Sequence, residues 1–280
     1  MIEQSYQIGG ISITMVGPEF HESEALSVFR TSTPAGRHLR YEVSLCRQLS
    51  LPEKLRTKPE HCHERLIPDE NGTLRVIFHD ATKEAVLTER QNGDVFKVEL
   101  LASALPIWDS NLLLKLWRLP ERLFEEGEFF LHASMIRVND KAVIFTAQKQ
   151  VGKSTQATLW EKYRGAEVIN GDRALLRKVN DVWYACGSPY CGTSKICKVG
   201  SYPLAAIVIL SQAKETTVTR AVMRQTAAAF LDGCSFDAGS TVQTEKVLDA
   251  ALDAAAHVPV FCLACTPDES AVIALEKVLY

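Results

Sequence analysis

Residues 141–165, KAVIFTAQKQVGKSTQATLWEKYRG, constrain the fold of this chain more tightly than any other stretch. The run AVIF is short, apolar and β-favouring, which predicts a buried strand. A loop follows, and KSTQATLWEKY predicts a helix that begins at once. Gly165 stands just past its last turn, where a left-handed cap belongs. The remainder of the second half continues in the same style. AEVIN, AAIVIL, TTVTRAV and VPVFCLAC predict strands, and helices are predicted near residues 223–231, 242–256 and 267–279. Asn139-Asp140 and Asn180-Asp181 mark two hairpin tips. Interleaved strands and helices predict an α/β domain.

The loop ends Gly-Lys-Ser-Thr, as a phosphate-binding loop does, yet its front half holds no glycine. In register with G-x-x-x-x-G-K-[ST], Ala147 takes the first glycine position. Gln148, Lys149, Gln150 and Val151 fill the middle, and Gly152, Lys153, Ser154 and Thr155 complete the pattern. Alanine adds only a methyl group, tolerable where φ need not be positive. Gln150, where many kinases carry another glycine, can expose its N–H if its backbone angles are ordinary. On this reading the amides of residues 147–154 cradle the phosphates of ATP or another nucleoside triphosphate. Lys153 reaches the outer phosphates, Ser154 ligates Mg²⁺, and the helix dipole points at the anion. The competing reading is an ordinary helix N-terminus that happens to carry a lysine.

Phosphoryl transfer needs a second element to hold metal and aim the nucleophile. In AEVINGDRALL a strand runs into Asn170-Gly171-Asp172 and sets a carboxylate at its end. Asp172 can bind Mg²⁺ or accept a proton from an attacking hydroxyl, or it is a turn aspartate between two strands. His132, in FFLHASMIRV, enters the strand pair that leads to the loop. It is either a satisfied core histidine or a group that orients substrate. The catalytic candidates are therefore Asp172, His132 and Lys153.

The loop CGSPYCGTSKICK is flexible at Gly187, Ser188 and Gly192, and its Lys195 can neutralise transition-state charge. Its Cys186, Cys191 and Cys197 lack the paired C-x-x-C spacing of a zinc or iron–sulfur site. Cys262 and Cys265 do form C-x-x-C, but within a predicted strand, where packing accounts for them. His61 and His63 of HCH fall in a polar loop and are expected to be solvated. Arg220 and Arg224 can contact an acidic substrate or lie on the surface.

The order LHASMIRVNDKAVIFTAQKQVGKST…GAEVINGDRALL resembles the catalytic domain of the HPr kinase/phosphorylase family, over roughly residues 130–280. The resemblance implies an HPr kinase/phosphoenolpyruvate carboxykinase-like P-loop fold, ATP and Mg²⁺ as cofactors, and transfer to a hydroxyl. It matches His132 with the histidine before the loop. Lys153 and Ser154 match the loop lysine and the metal-binding hydroxyl, and Asp172 matches the second acid of an Asp-Asp pair. The first acid is Gly171 here, which removes a group the family uses as acid/base. With the glycine-poor loop, that departure implies an acceptor other than HPr: a peptide, another protein or a small molecule.

Before this domain the text is β-rich. YQIGGISITMV, HLRYEVSLC and TLRVIFHD predict strands, and Asn92-Gly93 predicts a hairpin between two alternating runs. Residues 51–71, rich in Pro, Glu and Lys, predict a loop. Apolar residues at steps of three and four predict one helix over residues 106–126. The expected division is a β-rich N-terminal domain, 1–105, which binds substrate or partner, and a catalytic domain, 106–280. Net charge is −3 without a basic run, which argues against nucleic acid. The first residues carry no signal peptide and PLAAIVIL is too short to span a bilayer. The expectation is cytoplasmic, with reduced thiols and no membrane contact; a homo-oligomer stays open. Three function classes follow: a phosphotransferase, a nucleotide-binding scaffold or peptide-recognition module without catalysis, and a decarboxylating carboxykinase. The last is disfavoured because no basic cluster is dedicated to a small dicarboxylate.

Overall fold

Gly9, at φ 56, turns β1 (Ile2–Ile8) into β2 (Ile11–Gly17), and the two pair antiparallel. A single turn, α1 (Glu24–Ser27), precedes β3 (Arg37–Cys46), which runs parallel to β2. Then come β4 (Glu64–Asp69), β5 (Gly72–Phe78), β6 (Ala85–Asn92) and β7 (Val95–Leu101), an antiparallel meander whose last strand lies parallel to β3. The result is a seven-stranded sheet in the order β1-β2-β3-β7-β6-β5-β4. The computed structural model describes residues 1–57 and 64–280, so His61 and His63 lie outside the described residues. Within residues 51–71, expected as loop, Glu64–Asp69 is a strand. It is an edge strand whose side chains mostly face solvent, so it shows no apolar alternation.

The single helix expected over 106–126 is two. α2 (Ser110–Trp117) starts on Asp109, whose carboxylate accepts from Leu112 N at 3.0 Å, and it stops at Arg118, which takes φ 50. α3 (Leu119–Glu125) then carries Pro120 in its first turn. Pro120 has no N–H with which to bond Leu116 O. That carbonyl and Lys115 O instead accept from the buried Arg75 guanidinium, both at 2.8 Å, while Glu89 balances its charge at 3.0 Å. The end of α2 is thus capped by β5. Trp117 packs on Tyr6, with ring centroids 5.2 Å apart. These contacts tie α2 to the first sheet. The chain divides into two compact units, Met1–Leu119 and Pro120–Tyr280.

In the second unit β8 (Phe129–Val138) and β9 (Lys141–Thr146) meet at Asn139 and Asp140, φ 49 and 57, a turn whose twist suits a two-residue hairpin. α4 (Lys153–Arg164) follows and ends on Gly165 at φ 63. β10 (Glu167–Asn170) leads to β11 (Arg173–Val179) and β12 (Val182–Cys186), hinged on Asn180 and Asp181. Then follow β13 (Ser201–Gln212), β14 (Thr217–Arg220), α5 (Met223–Gly233), α6 (Thr241–His257), β15 (Val260–Cys265) and α7 (Glu269–Leu279).

The long strands β8 and β13 change partners halfway. Their first parts pair with β11 and β12, and their second parts flank β9. Only β9, β13 and β15 are mutually parallel in this sheet. Both faces of this central layer are buried, which explains the unbroken apolar runs AVIF and AAIVIL. Ala142 and Ile144 join the core under α5 and α6, while Val143 and Phe145 join the core under α4 and α7. The architecture is mixed α/β with two sheets, of the α+β kind.

Candidate functional site

β9, β13 and β15 all end at one place, and residues 147–152 carry the chain from β9 into α4 there. Two residues of this loop need a left-handed backbone: Gly152 at φ 123 and Gln150 at φ 66. Ordinary angles were the condition for tolerating glutamine at position 150, and the structure does not meet it. A side chain held there costs about 1–2 kcal/mol. Gln150→Gly is expected to raise stability by about 0.5–1 kcal/mol, the relief being partly offset by a more flexible unfolded chain. Gln150→Val, branched at Cβ, is expected to lower it further. Thermal unfolding of the two variants checks both signs.

Gly152 offers no side-chain cap, so the first amides of α4 are left without a protein acceptor from that position. Lys153, the first helical residue, is 7% exposed. Its ammonium donates to Ala147 O at 3.0 Å and Gln148 O at 3.2 Å. Among the described residues no carboxylate lies within ion-pair distance of it. Burial pushes its pKa down, the Asp172 charge opposes that shift and Lys149 adds to it. A buried cation and the positive end of a helix therefore meet without an anion between them.

Asn170, fully buried, shapes the neighbouring corner. Its side-chain oxygen accepts from Asp172 N at 2.9 Å and Arg173 N at 2.8 Å, and its amide donates to Ser188 O at 2.9 Å. This side-chain turn bends β10 into β11 and presents Asp172. Sequence reading passed over Asn170, although Asn before Gly-Asp is a turn signal. The Gly171 carbonyl then gathers two hydroxyls, Ser134 Oγ at 3.1 Å and Ser154 Oγ at 3.4 Å. Lys153, Ser154, Asp172 and His132 thus come together at one corner.

His132 Nδ1 lies 3.0 Å from Asp172 O and 3.6 Å from its carboxylate. A carbonyl only accepts, so Nδ1 carries the hydrogen and Nε2 is left as an acceptor. Burial and the Lys153 charge hold the imidazole below its ordinary value of 6.5, against the pull of Asp172. The sign follows directly. Above pH 6.5 both folded and unfolded chains keep this ring neutral; below it the unfolded chain takes up a proton that the fold resists. Stability is expected to fall as pH drops through 6.5, less steeply in His132→Gln, in urea titrations at several pH values.

Residues 187–200 lie against this corner. A Cβ built on Gly171 would sit 2.1 Å from Ser194 Oγ, and one on Gly192 would sit 2.7 Å from the Asp172 carboxyl carbon. Ser194 is fixed there, donating to Cys191 O at 2.7 Å and accepting from Ile196 N at 3.2 Å. The space in which an acid at position 171 would stand is filled. Lys195 is exposed on the same turn, at φ 56. Arg173 reaches Asp172 at 3.7 Å and lies 5.2 Å above the Tyr190 ring, a cation that sequence reading did not single out. Arg220 stacks on Phe261, and Arg224 is exposed at the start of α5. Cys265 belongs to the core under α4 and α7.

Two cavities flank the loop. One, of about 630 Å³, runs along its first half and is lined by His132, Lys149, Gln225, Asp232 and Cys262 among others. The other, of about 430 Å³, runs along its second half beside Thr155, Gln156, Gln212 and Pro267. Both open at the carboxyl ends of parallel strands, where α/β sheets bind ligands.

No family model matches the chain, and no curated protein matches it. Among solved structures the chain is similar to the HPr(Ser) kinase/phosphatase from Coxiella burnetii. The similarity has a TM-score of 0.32 and 12% identity, over 54% of this chain and 87% of that one. A likeness of this extent is a distant structural one and assigns no activity. No helix among the described residues is long and apolar enough to cross a membrane.

Proposed function

We propose that the second unit is an ATP-dependent, Mg²⁺-requiring phosphotransferase of the HPr kinase-like type that acts on a hydroxyl of a peptide, protein or small molecule. One observation carries this reading: the buried Lys153 ammonium at the head of α4, with no carboxylate within ion-pair distance among the described residues. A site that stays folded around such a charge is matched to a polyanion. In the bound state the ammonium leaves the carbonyls of Ala147 and Gln148 for the outer phosphates, and the amides of residues 147–154 take the remaining oxygens.

The residues present fit magnesium. It prefers oxygen ligands and keeps few protein ones, and the corner offers Ser154 Oγ, 3.4 Å from the Gly171 carbonyl, and the carboxylate of the next residue, Asp172. Ser154 Oγ and the Asp172 carboxylate would hold it, and it would neutralise charge on the transferred phosphoryl group. His132, neutral and with Nε2 free to accept, takes the proton of the acceptor hydroxyl in the larger cavity. Lys153 and Arg173 stabilise the charge that develops on transfer.

The filled space at Gly171 favours a second reading, nucleotide binding without transfer, because no acid fits at 171 beside Asp172. Incubation with γ-labelled ATP and a cell extract separates the two. A labelled acceptor, lost in His132→Ala and Asp172→Asn, is the expected outcome. Nucleotide retention without any labelled product contradicts transfer.

A further inference from the structure

The cavity of about 430 Å³ shares a wall with the phosphate loop, and one buried amide in that wall is incompletely bonded. Gln156 stands on the first turn of α4, where its backbone N–H donates to Gly152 O at 2.9 Å. Its side chain lines the cavity, and the residue is only 2% exposed. The side-chain nitrogen donates to Cys265 Sγ at 3.2 Å, a weak acceptor. Oε1 is buried and accepts no hydrogen bond among the described residues. A buried carbonyl oxygen in that state destabilises the fold until a donor reaches it. Around it Val151, Leu210 and Pro267 give the cavity apolar surface. Gln212, at the end of β13, donates to Val151 O at 3.4 Å and ties the loop to the opposite side. The volume suits a base with its sugar.

We propose that this cavity takes the purine base of the nucleotide and that Gln156 selects adenine, accepting a hydrogen bond from its 6-amino group. The inference rests on the reading of the α4 head as a triphosphate site. In that reading Ser154, Asp172 and His132 hold the transferring end at their corner, and the larger cavity beside His132 takes the acceptor. The nucleoside end then leaves along the second half of the loop, where this cavity opens. Adenine brings a flat apolar ring and an amino donor. Guanine and hypoxanthine carry a carbonyl oxygen in place of that amino group. The Gln156 nitrogen, which alone of its side-chain atoms could donate to such an oxygen, is turned to Cys265. Two acceptors would face each other with no hydrogen between them, so the bond is lost and they repel.

The test compares Mg·ATP with Mg·ITP, which carries oxygen in place of the 6-amino group, by calorimetry on the full chain and on Gln156→Leu. One neutral hydrogen bond is worth roughly tenfold in affinity. The expected result is ATP tighter than ITP by about tenfold in the wild type, and equal affinities in the variant. Leucine fills similar volume without a polar atom, and the wild-type comparison decides even where the variant fails to fold. Equal affinity for the two nucleotides in the wild type, or a preference that survives Gln156→Leu, overturns the proposal. Tripolyphosphate binding without any preference for ATP over ITP keeps the phosphate site and removes the base site. Should no triphosphate bind, the phosphate reading falls, and adenosine against inosine, by saturation-transfer NMR, decides the base site. A signal from adenosine that inosine lacks upholds it; no signal, or equal signals, overturns it.

Discussion

Lys153→Met is expected to make the protein more stable and unable to hold a nucleoside triphosphate. Methionine keeps most of the aliphatic stem, so the packing around α4 survives. What disappears is a cation buried to 7% exposure whose hydrogen-bond partners among the described residues are two carbonyls. Two terms compete in the free protein. The two hydrogen bonds contribute, but Ala147 and Gln148 line a cavity, so their carbonyls can turn to water once the ammonium is gone. The desolvated charge costs more, and the helix N-terminus adds to that cost. The net gain is about 1 kcal/mol in unfolding free energy. In the bound state the sign reverses, since a phosphate left opposite methionine keeps its charge and loses its partner. Removing one member of a buried charge pair costs about 3 kcal/mol, roughly a hundredfold in affinity. An ordinary helix-start lysine on the surface would show neither effect, so the opposite signs tell the two readings apart.

Gly171→Asp, which would set a second acid beside Asp172, is expected to damage the corner. The first atom of any side chain at 171 would stand 2.1 Å from Ser194 Oγ and 2.5 Å from Ser194 Cβ. Ser194 cannot simply rotate away, because its hydroxyl ties Cys191 O to Ile196 N. The turn must move as a unit, giving up the Gly171–Ile196 and Asn170–Cys197 pairings. Overpacking of this kind costs about 3 kcal/mol, and a second carboxylate beside Asp172 adds repulsion. The double variant Gly171→Asp, Ser194→Gly opens the space and should recover most of the lost stability. Urea unfolding of the single and double variants checks this. Equal damage in both would mean that Ser194 is not what excludes a side chain at 171.

The parts of the site that were legible in the sequence are those fixed by local chemistry. The AVIF strand, the GKST helix start and the Asn-Asp turns each carry a signal within a few residues. His132 and Asp172 met because two strands of the same sheet bring them into register, with Arg173 paired to His132. What stayed hidden depends on contacts far along the chain. The helix over 106–126 breaks ahead of Pro120, and the carbonyls left free there are capped by Arg75, far back on β5. Glu64–Asp69 forms a strand because β5 offers it an edge, not because its own residues alternate. The positive φ at Gln150 carries no local signal, since the residue there is not a glycine. Gly171 read as a missing acid; the structure shows a position where Ser194 permits no side chain.

The claim beneath all of this is that the head of α4 is a polyanion site. Calorimetric titration of the reduced protein with Mg·ATP tests it most directly, with Mg·GTP and tripolyphosphate alongside and Lys153→Met as control. The account predicts saturable binding of a triphosphate, competition by tripolyphosphate and a loss of roughly a hundredfold in the variant. Absence of heat with every triphosphate, or equal affinity in wild type and Lys153→Met, would contradict it.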